Sequence, residues 1–312
     1  MPYINQYQVI DMVYFDGADL RLHIAAKQPS LSMNTETRNI VSPMKKLNTG
    51  FEMPAIAFGT WDVRGARGQR AVESALEVGY RAIDTAFMYE NHDIIGKAIR
   101  SSEITRSELF VTTKLNAPFH TQSQAFDGVK RALEELQLEY LDLILVHEPY
   151  RQSVDLYRAL ERAQEEGLAR SIGVSNFDEV HLARVLDECE IIPAVDQCES
   201  HVYYPQLSLA KHLQEKEICM QAWAPFTEGK RPLFSEATLA NIACTHGATI
   251  AQVALAYLLN QGVSVCVKSS SPSRQAENLA SANLSLTQEE ISRIATLDEG
   301  SSLFGWYDES WL

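Results

Sequence analysis

Basic residues are scarce in this chain of 312 residues: 27 lysines and arginines stand against 41 aspartates and glutamates, a formal charge of −14. A field of that sign repels phosphate backbones and anionic lipid surfaces, so neither nucleic acid nor a membrane is expected as a partner. A phosphorylated small ligand stays open, because a local basic pocket can oppose the global charge. Only five cysteines occur, at 189, 198, 219, 244 and 266, and none forms a C-x-x-C pair. Neither a disulfide framework nor a metal site is therefore expected. No run approaches about 18 consecutive apolar residues, the length of a membrane-crossing helix. The N-terminus lacks the uninterrupted apolar core of a signal peptide, since Asp11, Asp16 and Asp19 break its hydrophobic residues. A cytoplasmic, reducing location is the expectation. Also missing is a G-x-G-x-x-G string after the first apolar run, the usual mark of a dinucleotide site on an open doubly wound sheet.

What is present is a globular composition, 46% hydrophobic and 22% charged. Residues 1–44 are irregular, an aromatic and acidic stretch followed by a polar run from Ser30 to Thr37. They read as an N-terminal extension, ordered only where something docks it, and Met33 and Met44 are alternative starts. Residues 45–312 read as the folded unit. It opens with Leu47-Asn48-Thr49-Gly50-Phe51, a turn between apolar residues that predicts a small hairpin. Eight short apolar runs follow, at 55–58, 81–84, 109–114, 141–146, 171–174, 194–197, 218–222 and 263–267. Between them, sets such as Val129/Ala132/Leu133/Leu136 and Leu156/Ala159/Leu160/Ala163 recur at the spacing of helices with one buried face. So do Leu182/Val185/Leu186/Cys189 and Ile250/Val253/Ala254/Tyr257. Strands too apolar for a wet face, each followed by a helix, predict a parallel sheet covered by helices, closed as a (β/α)8 TIM barrel.

Barrel enzymes draw their sites from the carboxyl ends of the strands. Asp84, Lys114 and His147 stand at or just after the second, third and fourth runs, and Tyr89 lies five residues beyond Asp84. A phenol titrates near pH 10 and is a poor proton donor at neutrality. An ammonium beside it lowers that value, and a carboxylate keeps the ammonium charged. An imidazole donating to a carbonyl oxygen would complete a device that protonates an oxygen while something else delivers hydride.

Five strings carry a resemblance. Arg81-Ala82-Ile83-Asp84-Thr85-Ala86, Tyr89-Glu90-Asn91, Thr113-Lys114-Leu115, Leu145-Val146-His147-Glu148-Pro149 and Gly173-Val174-Ser175-Asn176-Phe177 resemble the successive signatures of the aldo-keto reductase family. The resemblance runs from about Leu47 to about Leu297. It implies reduction of aldehydes or ketones to alcohols by NADPH, with Tyr89 as general acid, Lys114 and Asp84 tuning it and His147 orienting the carbonyl. It further implies that Ser175, Asn176 and Gln197 hydrogen-bond the nicotinamide carboxamide and that Trp223 stacks on the ring. Lys268, Ser269, Arg274, Glu277 and Asn278 resemble the segment that holds the adenosine end, where cations suit the 2′-phosphate that distinguishes NADP+ from NAD+. A monomer is the expectation from the family. A barrel kept as a non-catalytic nucleotide sensor is the alternative reading, disfavoured by the presence of all four catalytic residue types.

Departures from the family pattern cluster where a substrate would lie: Asn116 and Glu148 replace common tryptophans, and His92 replaces a common Glu. Trp61, Phe87, Asn116, Phe119 and Glu148 are the expected pocket residues. Asn116 and Glu148 suit a hydroxylated or cationic substrate, although a solvated loop position is the favoured reading of Glu148. The short stretch beyond Leu297 predicts a relatively open mouth.

Overall fold

In the computed structural model, residues 42–116 and 119–305 are described; nearly all of the expected extension lies outside them. The first elements are two short strands, β1 (Met44–Lys46) and β2 (Glu52–Pro54), paired antiparallel around the predicted turn. Gly50 adopts φ +87°, which its missing Cβ permits. Eight strands then close into a parallel barrel: β3 (Ile56–Gly59), β4 (Ala82–Asp84), β5 (Phe110–Leu115), β6 (Leu141–Val146), β7 (Ala169–Ser175), β8 (Val195–Glu199), β9 (Cys219–Trp223) and β10 (Ser264–Val267), with β10 returning to pair with β3. All eight expected runs are strands, with ends shifted by at most two residues. The fold is the (β/α)8 barrel that the sequence predicts.

The helices of the repeat are α1 (Gly65–Val78), α2 (His92–Ser101), α3 (Gln122–Leu136), α4 (Ser153–Glu165), α5 (Glu179–Glu188), α6 (Leu207–Glu215), α7 (Ala237–His246), α8 (Ile250–Asn260), α9 (Pro272–Ala280) and α10 (Gln288–Ala295). Local chemistry sets their starts. Thr121, Thr249 and Thr287 cap α3, α8 and α10 by accepting from backbone N–H groups in the first turn, and Pro272 opens α9. Helices such as α3 bury one stripe, here Val129, Ala132, Leu133 and Leu136, whereas α8 is buried without a break from Val253 to Leu258.

Two apolar cores result. The larger lies between barrel and helices and includes Phe58, Ile83, Tyr157 and Tyr257; a smaller one fills the barrel itself with Ala57, Ala82, Leu143, Leu145 and Val195. The β1–β2 hairpin adds Leu47 and Met53 to the inner core. Asn48 Nδ2 donates to Pro193 O (3.0 Å), and the Thr49 and Ser171 hydroxyls share a hydrogen bond (2.8 Å), so the hairpin is held at the amino end of β7 and β8. Gly173 shows how tightly the strands approach: a Cβ there would lie 2.3 Å from Val195 O. With the amino end plugged, the carboxyl end is left for a site.

Candidate active site

Register brings the polar residues together. Asp84 pairs with Thr112, Lys114 with Leu145 and Ser175 with Gln197, so the strand ends of β4, β5, β7 and β8 share one rim. Lys114 is fully buried, a state that an ammonium tolerates only when paired. Its Nζ donates to Asp84 Oδ1 (2.5 Å) and to Thr85 O (3.0 Å). The other Asp84 oxygen accepts from Gln197 Nε2 (2.7 Å), which also donates to Gln221 Oε1 (2.6 Å).

Tyr89 ends a 3-10 turn (Phe87–Tyr89) after β4. Its ring lies 5.2 Å from Lys114 Nζ and 5.9 Å, edge to face, from the His147 ring. A small network holds this loop: Thr85 Oγ1 donates to Asn91 Oδ1 (2.8 Å), Asn91 Nδ2 donates to Thr60 O (2.9 Å), and Arg64 Nη1 donates to Tyr89 O. The four expected catalytic side chains thus gather at one rim.

Their charge states follow from burial and from one another. Burial pushes the Tyr89 phenol above its ordinary range, and the Lys114 charge is the largest force pulling it back. The expected lowering by the ammonium is therefore real but outweighed, and Tyr89 keeps its proton at neutral pH. Burial works most strongly against the Lys114 cation, but the Asp84 carboxylate, joined by Tyr89 and Cys266, outweighs it and the net shift is upward. Burial, then Lys114, holds His147 well below the ordinary imidazole range, so it is neutral. Its Nδ1 is buried and has no hydrogen-bond partner among the described residues.

A cavity of about 670 Å³ opens on this rim and runs past Ser175, Asn176, Gln197 and Trp223 to Lys268. Ser175 Oγ donates to Gln197 O (2.7 Å). Asn176 has a left-handed backbone (φ +65°), which asparagine tolerates better than most residues. Its Oδ1 accepts from Trp223 Nε1 (2.7 Å) and its Nδ2 donates to Glu148 Oε1 (3.0 Å). Beyond β10, Lys268 and Arg274 are exposed, whereas Asn278 is buried. Ser269 Oγ accepts from Ser271 N (3.2 Å), and Glu277 accepts from Thr249 Oγ1 (2.6 Å). Amide side chains, an aromatic ring and then Lys268 along one cavity suit an elongated dinucleotide with an anionic far end, whereas Ser269, Arg274, Glu277 and Asn278 are not among the lining residues.

The expected pocket residues divide. Trp61 and Glu148 line the cavity. Phe87 and Phe119 instead meet edge to face (5.3 Å) and pack outward, Phe119 over Gly128 of α3, because that glycine leaves room for the ring. Asn116 is not among the lining residues, and its buried side-chain oxygen has no partner among the described ones. His92 is buried, bonding Thr113 Oγ1 and Glu135. The solvated reading of Glu148 is corrected: only 7% of it is exposed, since Asn176 and the strand ends enclose it.

Several features are not visible in the sequence motifs, Glu228 and Phe226 of the cavity lining among them. Gln221 completes the amide chain beneath Asp84; it lies two residues before Trp223, so strand alternation marks it as facing the same way. Asp62 joins the cavity rim beside Trp61. Phe304 also lines the cavity, edge to face with Trp223 at 4.9 Å. It is placed there by Glu199, which accepts from Ser302 Oγ, Leu303 N (2.8 Å) and His201 Nε2 (3.0 Å). The chain beyond Leu297 thus reaches the site instead of leaving the mouth open.

Among the described residues no single helix is long and apolar enough to cross a membrane, and no His, Cys, Asp and Glu cluster could hold a metal. The profile of the Aldo/keto reductase family matches residues 55–299. A methylglyoxal reductase of Salmonella typhimurium is 37% identical over 261 residues, 83% of this chain and 94% of its own length. The 2,5-diketo-D-gluconic acid reductase B of a Corynebacterium species is 36% identical over the same span and coverage. Among solved structures, an aldo-keto reductase from a deep-sea metagenome library of the Medee basin superposes with a TM-score of 0.81 at 36% identity, covering 83% of this chain and 97% of that one. An aldo-keto reductase complexed with NADPH gives 0.79 at 29% identity, covering 84% and 89%. Barrel, rim chemistry and sequence likeness agree, and the chain belongs to the aldo/keto reductase family.

Proposed function

We propose that this protein reduces an aldehyde or ketone to the alcohol with NADPH, Tyr89 being the general acid. The observation that carries the reading is the buried Lys114–Asp84 pair, 2.5 Å apart, with Lys114 Nζ 5.2 Å from the Tyr89 ring, while Asp84, Tyr89 and the neutral His147 line one cavity. NADPH, when bound, supplies the hydride. Trp223, Asn176 and Ser175 would hold its nicotinamide end, with Gln197 beneath them, while Lys268, Ser269 and Arg274 would hold the adenosine phosphate. His147 donates from its imidazole to the carbonyl oxygen and orients it; being neutral, it does not compete as the acid. Tyr89 gives its proton to that oxygen as negative charge develops there. Lys114 then stabilises the phenolate left behind, and Asp84 keeps Lys114 charged. The same residues serve the reverse oxidation, so cofactor ratio sets the direction.

Tyr89→Phe tests the assignment, because it removes one proton and little volume. It is expected to lower kcat by roughly 10² to 10⁴, the usual worth of a positioned acid, while NADPH still quenches tryptophan fluorescence at a similar concentration. Wild-type turnover in this variant would remove Tyr89 from the role. Tight NADPH binding without turnover of any carbonyl by the wild type would favour a nucleotide sensor.

A further inference from the structure

Glu148 is a carboxyl that the proposed reaction does not use, yet it is built into the cavity wall directly beside His147. It is 7% exposed. One oxygen, Oε1, is fixed by Asn176 Nδ2 (3.0 Å), and Asn176 is itself fixed by Trp223 Nε1 (2.7 Å). The second oxygen has no hydrogen bond to any described residue, and the side chain lines the space a substrate would enter. A carboxyl this enclosed keeps its orientation and acts through a low-dielectric path, so its effect on a neighbouring charge is larger than at a surface. Asp62, at the rim beside Trp61, and Glu228, beyond β9, are further acidic groups of the lining, while its lysine, Lys268, stands past β10 where the cofactor's phosphates are assigned.

We propose that Glu148 selects the substrate: its free oxygen receives a hydroxyl or amine donor carried next to the carbonyl, and in its ionised form it turns away carbonyl compounds bearing a carboxylate there. This rests on the carbonyl-reductase reading and deepens it. The substrate class is that of small hydroxylated or amine-bearing aldehydes and ketones, with keto and aldehyde acids excluded when Glu148 is ionised. The exclusion is an unfavourable interaction built against a competitor, which discriminates more sharply than an added contact to the preferred substrate.

Burial raises the Glu148 carboxyl to about 8, against smaller downward pulls from Asn176 and Lys114. The other titratable groups around it are His147 on the same loop, held neutral by burial, and the Cys198 thiol of β8, held protonated by burial. Below that value Glu148 is a neutral acid that tolerates an anion; above it, a carboxylate that does not. Rejection of acids therefore strengthens as pH rises through about 8.

The test compares purified full-length wild type with Glu148→Gln, using NADPH and three two-carbon aldehydes: acetaldehyde, glycolaldehyde and glyoxylate. The readout is the ratio of kcat/KM for glycolaldehyde to that for glyoxylate within each protein, so a general loss of activity or cofactor affinity cancels. Wild type is expected to show a ratio of about tenfold or more at about pH 8.5, falling several-fold by about pH 6.5, where glyoxylate is still ionised and Glu148 is not. In Glu148→Gln the ratio is lower and flat with pH. A wild-type ratio near one, or a variant that keeps both the ratio and its pH dependence, overturns the proposal even if acetaldehyde is reduced well. Failure of the wild type to reduce these three or any other carbonyl compound overturns the reductase reading, and the selection falls with it.

Discussion

Asp84→Asn isolates what the buried ion pair contributes. Lys114 is wholly buried, its Nζ lies 2.5 Å from Asp84 Oδ1, and its other hydrogen bond is to the Thr85 carbonyl at 3.0 Å. Asparagine keeps the shape and one acceptor oxygen but removes the counter-charge. Deleting one partner of a buried pair costs about 3–5 kcal/mol, and the surviving hydrogen bonds place this case near the lower end. At about 2–4 °C per kcal/mol for a chain of this size, Tm falls by about 6–12 °C. The pH dependence gives a sharper signature. In wild type the folded Lys114 pKa is raised, because Asp84, the largest of the groups that oppose burial, outweighs it together with Tyr89 and Cys266. That contribution is complete below the unfolded value of about 10.4 and is lost only as pH rises through the folded one. In Asp84→Asn burial loses its main opponent, the folded pKa drops below the unfolded one, and the unfolded chain binds more protons between the two values. The variant therefore gains stability as pH rises toward 10 while wild type does not. Urea midpoints followed by tryptophan fluorescence at pH 7 and at pH 9.5 measure both. A variant as stable as wild type at pH 7, or a gap that widens with pH, would refute the account of how this ammonium is held.

Two further outcomes test the ends of the cavity. Arg274→Ala should lower kcat/KM for NADPH by about 10-fold or more and leave NADH nearly unaffected, since a guanidinium binds the 2′-phosphate and NADH lacks it; a native preference for NADH would defeat the cofactor assignment. Glu199→Gln weakens the charge-assisted bonds to Ser302 Oγ and Leu303 N, so amide exchange at Leu303, Phe304 and Gly305 should quicken by about tenfold, a loss of about 1.4 kcal/mol. Unchanged exchange there would mean that the Phe304–Trp223 contact holds the segment without Glu199.

How much could be read from the chain depended on whether a residue's partner was local or remote. Barrel strands are apolar on both faces and punctuated by polar residues at one end, so 141–146 and its seven counterparts were legible, as was the gathering of Asp84, Lys114 and His147 at the rim once the sheet was taken as parallel. Alternation within a strand carried more than was drawn from it: Gln221 follows from Trp223 by a step of two. Direction in the loops had no such rule. Phe87 and Trp61 both follow a strand end, but Phe87 turns outward to Phe119, which itself lies over the gap at Gly128, a vacancy set by a helix more than thirty residues away. Glu148 misled for a related reason. A carboxylate in a loop has a strong prior for solvent, and what encloses this one is Asn176, whose unusual backbone comes from the end of another strand. The Glu199 latch spans more than a hundred residues and depends on a serine and a backbone amide, groups too common to stand out. Asp84, Lys114 and His147 thus sit where strand geometry dictates. What strand geometry does not dictate sits where loops from different repeats meet, which is why the proposed substrate selection turns on Glu148 and not on the four residues proposed as catalytic.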